Sequence, residues 1–593
     1  MCGIGGAMNR DGRPVEATLL AAMTKALAHR GPDGRGRYMA GAVGLVQTRL
    51  AVIDLFTGAQ PFQDTGSGTA LVANAEIYND RELRAVLRDV RFVSHSDCEP
   101  PLYLYRRHGL SFTKHLRGMY AIALHDPGGP SRCERLVLAR DPFGIKPLYY
   151  TESSTGFLFA SEVQALLAVS TTRPQLDSNR TAELLQLQFT TGTDCLLSGI
   201  KRVAPGEILV VEAGEVVERR RHPALSPLIN VAEIRNPLAA LETVLREAVE
   251  LHQRSDVPYG MFLSGGVDSS ALLAMMARLN EQPVLTFTAC FPHDNARDEC
   301  NSARAVAAAV GAESIDVPFT EADFWALLPV VVAVMDDPAA DYATLPTYKL
   351  AAEAHKAVKV ILSGEGGDEV FAGYGRYRSA MRPWPFTRPM RRRGLLDGLG
   401  ILRQELTGWR DGLAAAERAV ANHGTRLQQA QEVDCAHWLP NDLLGKLDRC
   451  LMAHGVEGRL PFLDPVLAQF AYSLSDNLKI RHGVGKWLLR RWLADALPVV
   501  RRPFTSKHGF TVPVGTWIAH RGRALGPLVA HTPAVAEWCR PAAVKALFAN
   551  ANRNRRISLA AWILLFHALW VRYHIDHVDT VRLGLDVFAM LEA

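Results

Sequence analysis

A chain of 593 residues with a net charge of +5 and 48% hydrophobic residues has the make-up of a soluble globular protein, with room for two to four domains. So small a charge spread over so long a chain gives no reason to expect a nucleic-acid or membrane partner. The nine cysteines include no CxxC pair and follow no signal peptide, which predicts reduced thiols in a cytoplasmic protein and excludes a disulfide framework or a zinc site.

In chain order, the first signal is Cys2, directly behind the initiator methionine. Removal of the methionine would leave a residue carrying both a thiol and a free α-amine. With an ordinary pKa of about 7.7 to 8.0, that amine is a base able to take the thiol proton. Up to residue 211, short apolar runs alternate with turn signals, at 41–46, 70–73, 120–124 and 136–139, as in a layered antiparallel β protein with a few helices. The motifs HRGPDG (29–34), RLAVIDL (49–55), NAEIYN (74–79), SDCE (96–99), ARDPFGIKPLYY (139–150) and FASE (159–162) punctuate this region.

With Cys2, these motifs resemble the class II, N-terminal-nucleophile glutamine amidotransferases. The resemblance implies an αββα domain over residues 2–212 that splits glutamine. Thiolate attack on the glutamine amide makes a tetrahedral oxyanion, which needs donors fixed where the charge develops. The resemblance assigns this to the Asn74 side chain and the backbone N–H of Ala75. The family usually has glycine where this chain has Ala75, a change that carries a steric cost if the position needs a positive φ. Arg49 suits the glutamine α-carboxylate, since a guanidinium can hold both oxygens. Asp97 and Glu76 suit the α-ammonium.

A charged stretch and a turn-prone one predict a linker over 213–236, followed by an amphipathic helix near 238–252. The pattern then becomes strand (259–263), glycine loop (264–270) and helix (271–279), the last two carrying SGGVDSS. Glycines let backbone approach an anion, and the N–H groups opening the helix favour it. The loop lacks the lysine of a Walker A motif. It resembles the pyrophosphate loop of ATP pyrophosphatases, which implies a parallel-sheet nucleotide-binding domain over 237–593 with added helices. Further elements are expected at 284–289 (strand), 303–310 (helix) and 358–362 (strand), the last running into SGEGGDEVFAGY at 363–374. ATP is expected against Phe262, Ser264, Gly265, Gly266, Asp268, Ser269, Ser270, Ala289, Ser363 and Gly364. Asp268 and Asp368, on separate loops, are the natural carboxylates for Mg²⁺ bridging the phosphates.

Taken over nearly the whole chain, the pattern resembles glutamine-hydrolysing asparagine synthetases. That resemblance supports the Mg²⁺ role, places Glu365 as a proton acceptor beside the reacting carboxyl, and favours Lys486 over Lys507 as the cation facing the leaving pyrophosphate. It also sets 443–465 as a helical segment behind the site. The implied reaction joins aspartate, glutamine and ATP into asparagine, glutamate, AMP and pyrophosphate, with NH₃ passing through an apolar internal channel. Dimers are common in the family. The segment MDDPAADYATLPTYKL (335–350) departs from the threonine- and arginine-bearing stretch of the best-known members. A carboxylate on a surface sugar or secondary metabolite therefore stays open as the acceptor beside aspartate, and a silent nucleotide-binding paralogue is the third reading. The stretch 381–431, opening with a basic, proline-broken run, reads as a solvated loop or insertion. The apolar stretch 559–571 reads as a buried helix too short to span a bilayer.

Overall fold

The computed structural model describes residues 2–129, 132–170, 173–226, 235–292, 299–382, 386, 388–498, 512–578 and 584–593. Twelve strands build the N-terminal region: β1 (Cys2–Asn9), β2 (Gly34–Ala40), β3 (Val43–Arg49), β4 (Phe62–Asp64), β5 (Thr69–Ile77), β6 (Gly118–Asp126), β7 (Arg135–Arg140), β8 (Tyr149–Glu152), β9 (Gly156–Ala160), β10 (Lys201–Arg202), β11 (Glu207–Glu212) and β12 (Glu215–Arg221). They form two six-stranded sheets, in the orders β10-β8-β9-β1-β3-β2 and β12-β11-β7-β6-β5-β4.

Alternation along each strand explains the layering. Ile4 and Met8 of β1 and Val43 and Leu45 of β3 meet Val72 of β5 and Ala121 and Ala123 of β6 in one apolar cluster between the sheets. Residues of the opposite parity face outward, where Leu71, Ala73 and Ala75 pack with Leu102 and Tyr105 of the helix Pro100–His108. On the other outer face, Ala7 and Val46 pack with Leu20 and Met23 of the helix Ala17–Ala26. Helix, sheet, sheet and helix follow in layers, because a half-buried strand can satisfy two cores only through its period of two.

The charged stretch from residue 215, expected as linker, is strand β12, paired antiparallel to β11 from Glu212↔Glu215 to Glu207↔Arg221. Its polar side chains belong to a solvent-facing edge strand, where charge discourages further pairing.

Beyond the helix Pro237–His252, five parallel strands, β13 (Tyr259–Phe262), β14 (Leu285–Cys290), β15 (Glu313–Pro318), β16 (Val360–Leu362) and β17 (Glu457–Arg459), form a sheet in the order β15-β14-β13-β16-β17. The helix after β13 starts at Val267, four residues earlier than expected, so Asp268, Ser269 and Ser270 belong to its first turn. An acidic residue there complements the positive end of the helix dipole.

Three further expectations give way. Cys290 and Cys300 form a disulfide. Cys290 ends β14 and Cys300 lies in the helix Glu299–Val310, a proximity invisible in a spacing of ten residues; seven cysteines are free thiols. The stretch 381–431 is not a solvated loop: Met390, Leu396, Ile401, Leu406, Trp409, Leu413 and Leu427 lie in the same apolar cluster as the C-terminal helices. Finally, the apolar C-terminal helix runs over Arg555–His574, long enough to cross a membrane by length and composition, but 72% of its apolar window is buried within the protein. Trp562 and Trp570 donate from it to the carbonyls of Ala340 and Met335, at 2.7 and 2.6 Å.

Candidate active sites

Strand parity places the N-terminal site. Cys2 shares the inner face of β1 with Ile4 and Met8, while Gln47 and Arg49 continue the inner face of β3 beyond Val43 and Leu45. Asn74 and Glu76 continue the facing side of β5 beyond Val72. Cys2 lies in register with Arg49. Polar groups therefore replace apolar ones at one end of the sandwich, and they converge because strand register is rigid.

The Cys2 N–H donates to Asn74 Oδ1 at 3.0 Å, and Gln47 Nε2 donates to Cys2 Sγ at 3.0 Å. Asn74 is fully buried, yet its Nδ2 has no hydrogen-bond partner. A buried amide donor left unpaired costs about 1–3 kcal/mol, and this one lies beside the nucleophile. Ala75 sits in β5 without a positive φ, so the alanine that replaces the family's glycine carries no strain. The Arg49 guanidinium is held by the carbonyls of Ile53, at 3.3 Å, and Asp54.

Asp97 accepts from the Ile77 N–H at 2.7 Å, and burial pushes its carboxyl up to about 6. Burial also pushes Glu76 up, while Arg459, 3.0 Å away on β17 of the other domain, opposes it. Arg459 is fully buried and its Nε donates to Glu457 Oε1 at 2.7 Å. Sequence reasoning missed Arg459 and Gln47; the parity shared by residues 47 and 49 was the available signal for the second.

The C-terminal site lies where β13, β14 and β16 end. Gly265 has φ +67°, and a Cβ there would come within 2.7 Å of the Ala303 nitrogen. Ser264 and Ser269 hydroxyls meet at 3.1 Å across the loop. Gly266 opens the helix with no side-chain cap, which leaves its first N–H groups to a ligand. Phe262 ends β13, Ala289 lies on β14, and Ser363 and Gly364 follow β16. A Cβ on Gly364 would lie 3.1 Å from the Asp268 Cβ, and one on Gly373 only 1.9 Å from Asp368 Oδ1. The glycines of SGEGGDEVFAGY are thus what lets this loop close on the two aspartates.

Lys486 is 2% exposed and adopts φ +57°. Its ammonium pairs with Asp268 and, at 2.6 Å, with Asp368 Oδ1. Two carboxylates from separate loops therefore converge on one cation. Such hard oxygen donors also fit Mg²⁺. Glu365 lies 3.9 Å from the Lys446 ammonium, which pairs with Asp341 at 2.8 Å; neither partner was singled out from sequence, although both fall in segments that were. Lys507 lies outside the described residues.

Between the sites runs an ionic seam. Arg30 donates to the Cys2 carbonyl at 3.2 Å, to Glu162 at 2.6 Å, and to both oxygens of Asp448 at 2.7 and 3.1 Å. Arg449 pairs with Asp336 at 2.7 Å, and Arg202 with Asp337 at 2.6 Å. A small cavity here is lined by Ile145, Pro147, Tyr149, Pro440 and Leu444, and also by Arg202, Asp337 and Arg449. The wholly apolar lining expected of an internal channel is absent from this cavity, because its charged walls are the paired groups that join the domains.

Comparison with known proteins agrees with this division. The glutamine amidotransferase domain family matches residues 1–222, and the asparagine synthase family matches residues 240–572. The chain is 32% identical to an asparagine synthetase [glutamine-hydrolyzing] 1 of Bacillus subtilis, over 87% of this chain and 88% of that one. It is also 32% identical to a putative asparagine synthetase [glutamine-hydrolyzing] of Mycobacterium bovis, over 97% and 98%. An amidase, chry2, of Gibberella zeae is 32% identical over 63% of this chain and 57% of its own.

Proposed function

The chain belongs to the asparagine synthase family of glutamine-dependent ligases, and from that premise we propose that it amidates aspartate, using the residues 2–212 to release ammonia and the residues 237–593 to activate the acceptor with ATP. The observation that carries the nitrogen-supplying half is the unpaired Asn74 Nδ2 beside Cys2.

In this reading, methionine removal frees the Cys2 α-amine. The amine takes the thiol proton as sulfur bonds to the amide carbon, and returns it to the leaving nitrogen, which departs as NH₃. Asn74 Nδ2 and the Ala75 N–H hold the oxyanion, and removing one such donor typically costs about 10² to 10³ in rate. Water then cleaves the glutamyl thioester, giving glutamate. Arg49 pairs with the glutamine carboxylate after release from its two loop carbonyls, and Asp97 and Glu76 take the ammonium.

In the other half, ATP lies against Phe262, the Ser264–Ser270 loop, Ala289, Ser363 and Gly364. An acceptor carboxylate oxygen bonds to the α-phosphorus as pyrophosphate leaves, and ammonia then displaces AMP from the acyl-adenylate. Mg²⁺ held by Asp268 and Asp368 would neutralise phosphate charge, Lys486 would turn to the pyrophosphate, and Glu365 would accept a proton from the attacking amine. Neutral NH₃ would pass from one site to the other before water converts it to NH₄⁺, and the cavity at the ionic seam is the candidate for part of that route. A cytoplasmic setting goes with this chemistry.

Pyrophosphate release, measured with glutamine, ATP and a panel of acids, tests the reading. Turnover with aspartate and asparagine formation is expected. Turnover only with a different acid makes the chain an amidotransferase of that acid, as the amidase among its relatives and the divergent segment 335–350 would suggest. No turnover with any acid makes it a silent paralogue.

A further inference from the structure

In the basic run RPWPFTRPMRRR, Arg382, Arg388, Arg392 and Arg393 are exposed as the sequence reading expects, but Arg391 is partly buried. Arg391, with φ +48°, lays its guanidinium 4.1 Å from the ring centre of Trp438 and 5.2 Å from that of Phe189. Its Nε and Nη2 are both buried with no hydrogen-bond partner. These two atoms form one edge of the guanidinium, the geometry that takes a carboxylate by two parallel bonds. Buried guanidinium donors left without partners are costly unless an anion completes them.

The neighbours do not complete it. Arg376 spends its charge on Asp434 at 2.7 Å and repels Arg391; burial, with Arg376 adding to it, lowers the Arg391 pKa to about 10. Asp442 Oδ1 is itself buried without a hydrogen-bond partner, and burial with nearby Asp341 holds its carboxyl well above the usual range.

The place is as informative as the charge. Asp442 and Tyr374 each interact electrostatically with both Arg391 and Glu365. Trp438 and Asp442 belong to the π-helical segment Asp434–Leu444, which leads directly into the helix Gly445–Met452 that bears Lys446. Arg376 lies 5.2 Å from the ring centre of Trp438 and 3.8 Å from that of Tyr374, a residue of the loop 363–374 that carries Glu365, so stacked side chains link Arg391 to that loop.

We propose that Arg391 binds a second carboxylate of the acceptor through Nε and Nη2, so that the acceptor is a short dicarboxylic acid with its other carboxyl activated beside Glu365. This rests on the amidation reading above. It gives the stretch 381–431 a specificity role and makes Arg391 a substrate-binding residue.

The test uses the full-length enzyme with ATP and ammonium chloride, and compares L-aspartate with isoasparagine, which keeps the side-chain carboxyl but carries an amide in place of the second carboxylate. The wild type is expected to prefer aspartate strongly. R391Q should raise the aspartate KM about a hundredfold, as for removal of one partner of a buried charge pair, with a smaller change in kcat and loss of the preference. R391K, which keeps charge without the fork, should fall between them and serves the same comparison if R391Q does not fold. An unchanged aspartate KM, or a preference that survives in both variants, overturns the proposal while leaving the amidation reading intact. If the wild type does not turn over aspartate, that reading fails separately, and thermal shifts with malonate, succinate and glutarate decide the role of Arg391. Stabilisation of the wild type but not of R391Q supports it; equal shifts, or none, overturn it.

Discussion

The two candidate sites are built by opposite means. Around Cys2, the functional side chains stand on paired strands whose register and parity leave little freedom: Cys2 opposite Arg49, and Asn74 opposite Ala121. Around Asp268, they stand on loops and a helix end, closed by glycines that permit contact and by the Lys486 ammonium that draws two carboxylates together. Strands position a nucleophile against an oxyanion donor to within tenths of an ångström. Loops can rearrange around a large substrate such as ATP, whose phosphates replace protein contacts as it binds.

If each half is a separate machine, damage should stay local. Cys2→Ala should lower glutamine-dependent product formation by about 10⁴ or more, as for loss of a covalent nucleophile, while ammonium-dependent synthesis persists. Loss of both would show that the sandwich supports the synthetase fold as well as feeding it. Asp268→Ala should do the converse: pyrophosphate release should fall by about 10³ with either nitrogen source, through lost charge stabilisation at the phosphates, and glutamate should still form from glutamine. Asn74→Ala should reduce glutaminase kcat by about 10² to 10³, with a smaller change in the glutamine KM. A drop of threefold or less would remove Asn74 Nδ2 from the oxyanion site.

The smallest effect is a pH dependence. The Asp97 carboxyl, pushed up to about 6 by burial, is ionised above that pH and protonated below it. Binding of the glutamine ammonium then requires the ionised form, so below pH 6 kcat/KM for glutamine should gain a second limb, falling about tenfold more per unit of pH beyond the loss caused by protonating the Cys2 amine. Asp97→Asn should abolish that limb of the profile, and a limb retained in the variant would assign it to another group.

The convergence of residues around Cys2 was legible from sequence because its motifs sit on strands, where residue spacing translates directly into facing positions. Asn74, Glu76, Arg49 and Cys2 all fall on inner faces by parity alone. Arg459 was not legible: it reaches Glu76 across 383 positions of chain, from the edge of a different sheet, through a domain contact that no local pattern encodes. Arg30 followed the same rule, its motif being visible and its partner Asp448 not. Within the basic run, whose other described arginines are exposed as their charge predicts, Arg391 was misread for a related reason. Charge predicts solvent on average, and only the packed rings of Trp438 and Phe189 reveal where that side chain lies.

The sequence by itself determined where the two candidate sites lie, because a thiol at position 2, a glycine loop opening a helix, and carboxylates on short motifs take their setting from neighbours near in the chain or in strand register. Tertiary structure alone decided how the ends are joined and which side chains meet across the chain. The ionic seam from Arg30 to Asp448, the disulfide between Cys290 and Cys300, and the open fork of Arg391 all depend on long-range packing. Burial changes the cost of a charge far more than its identity does, and burial is a property of the folded chain.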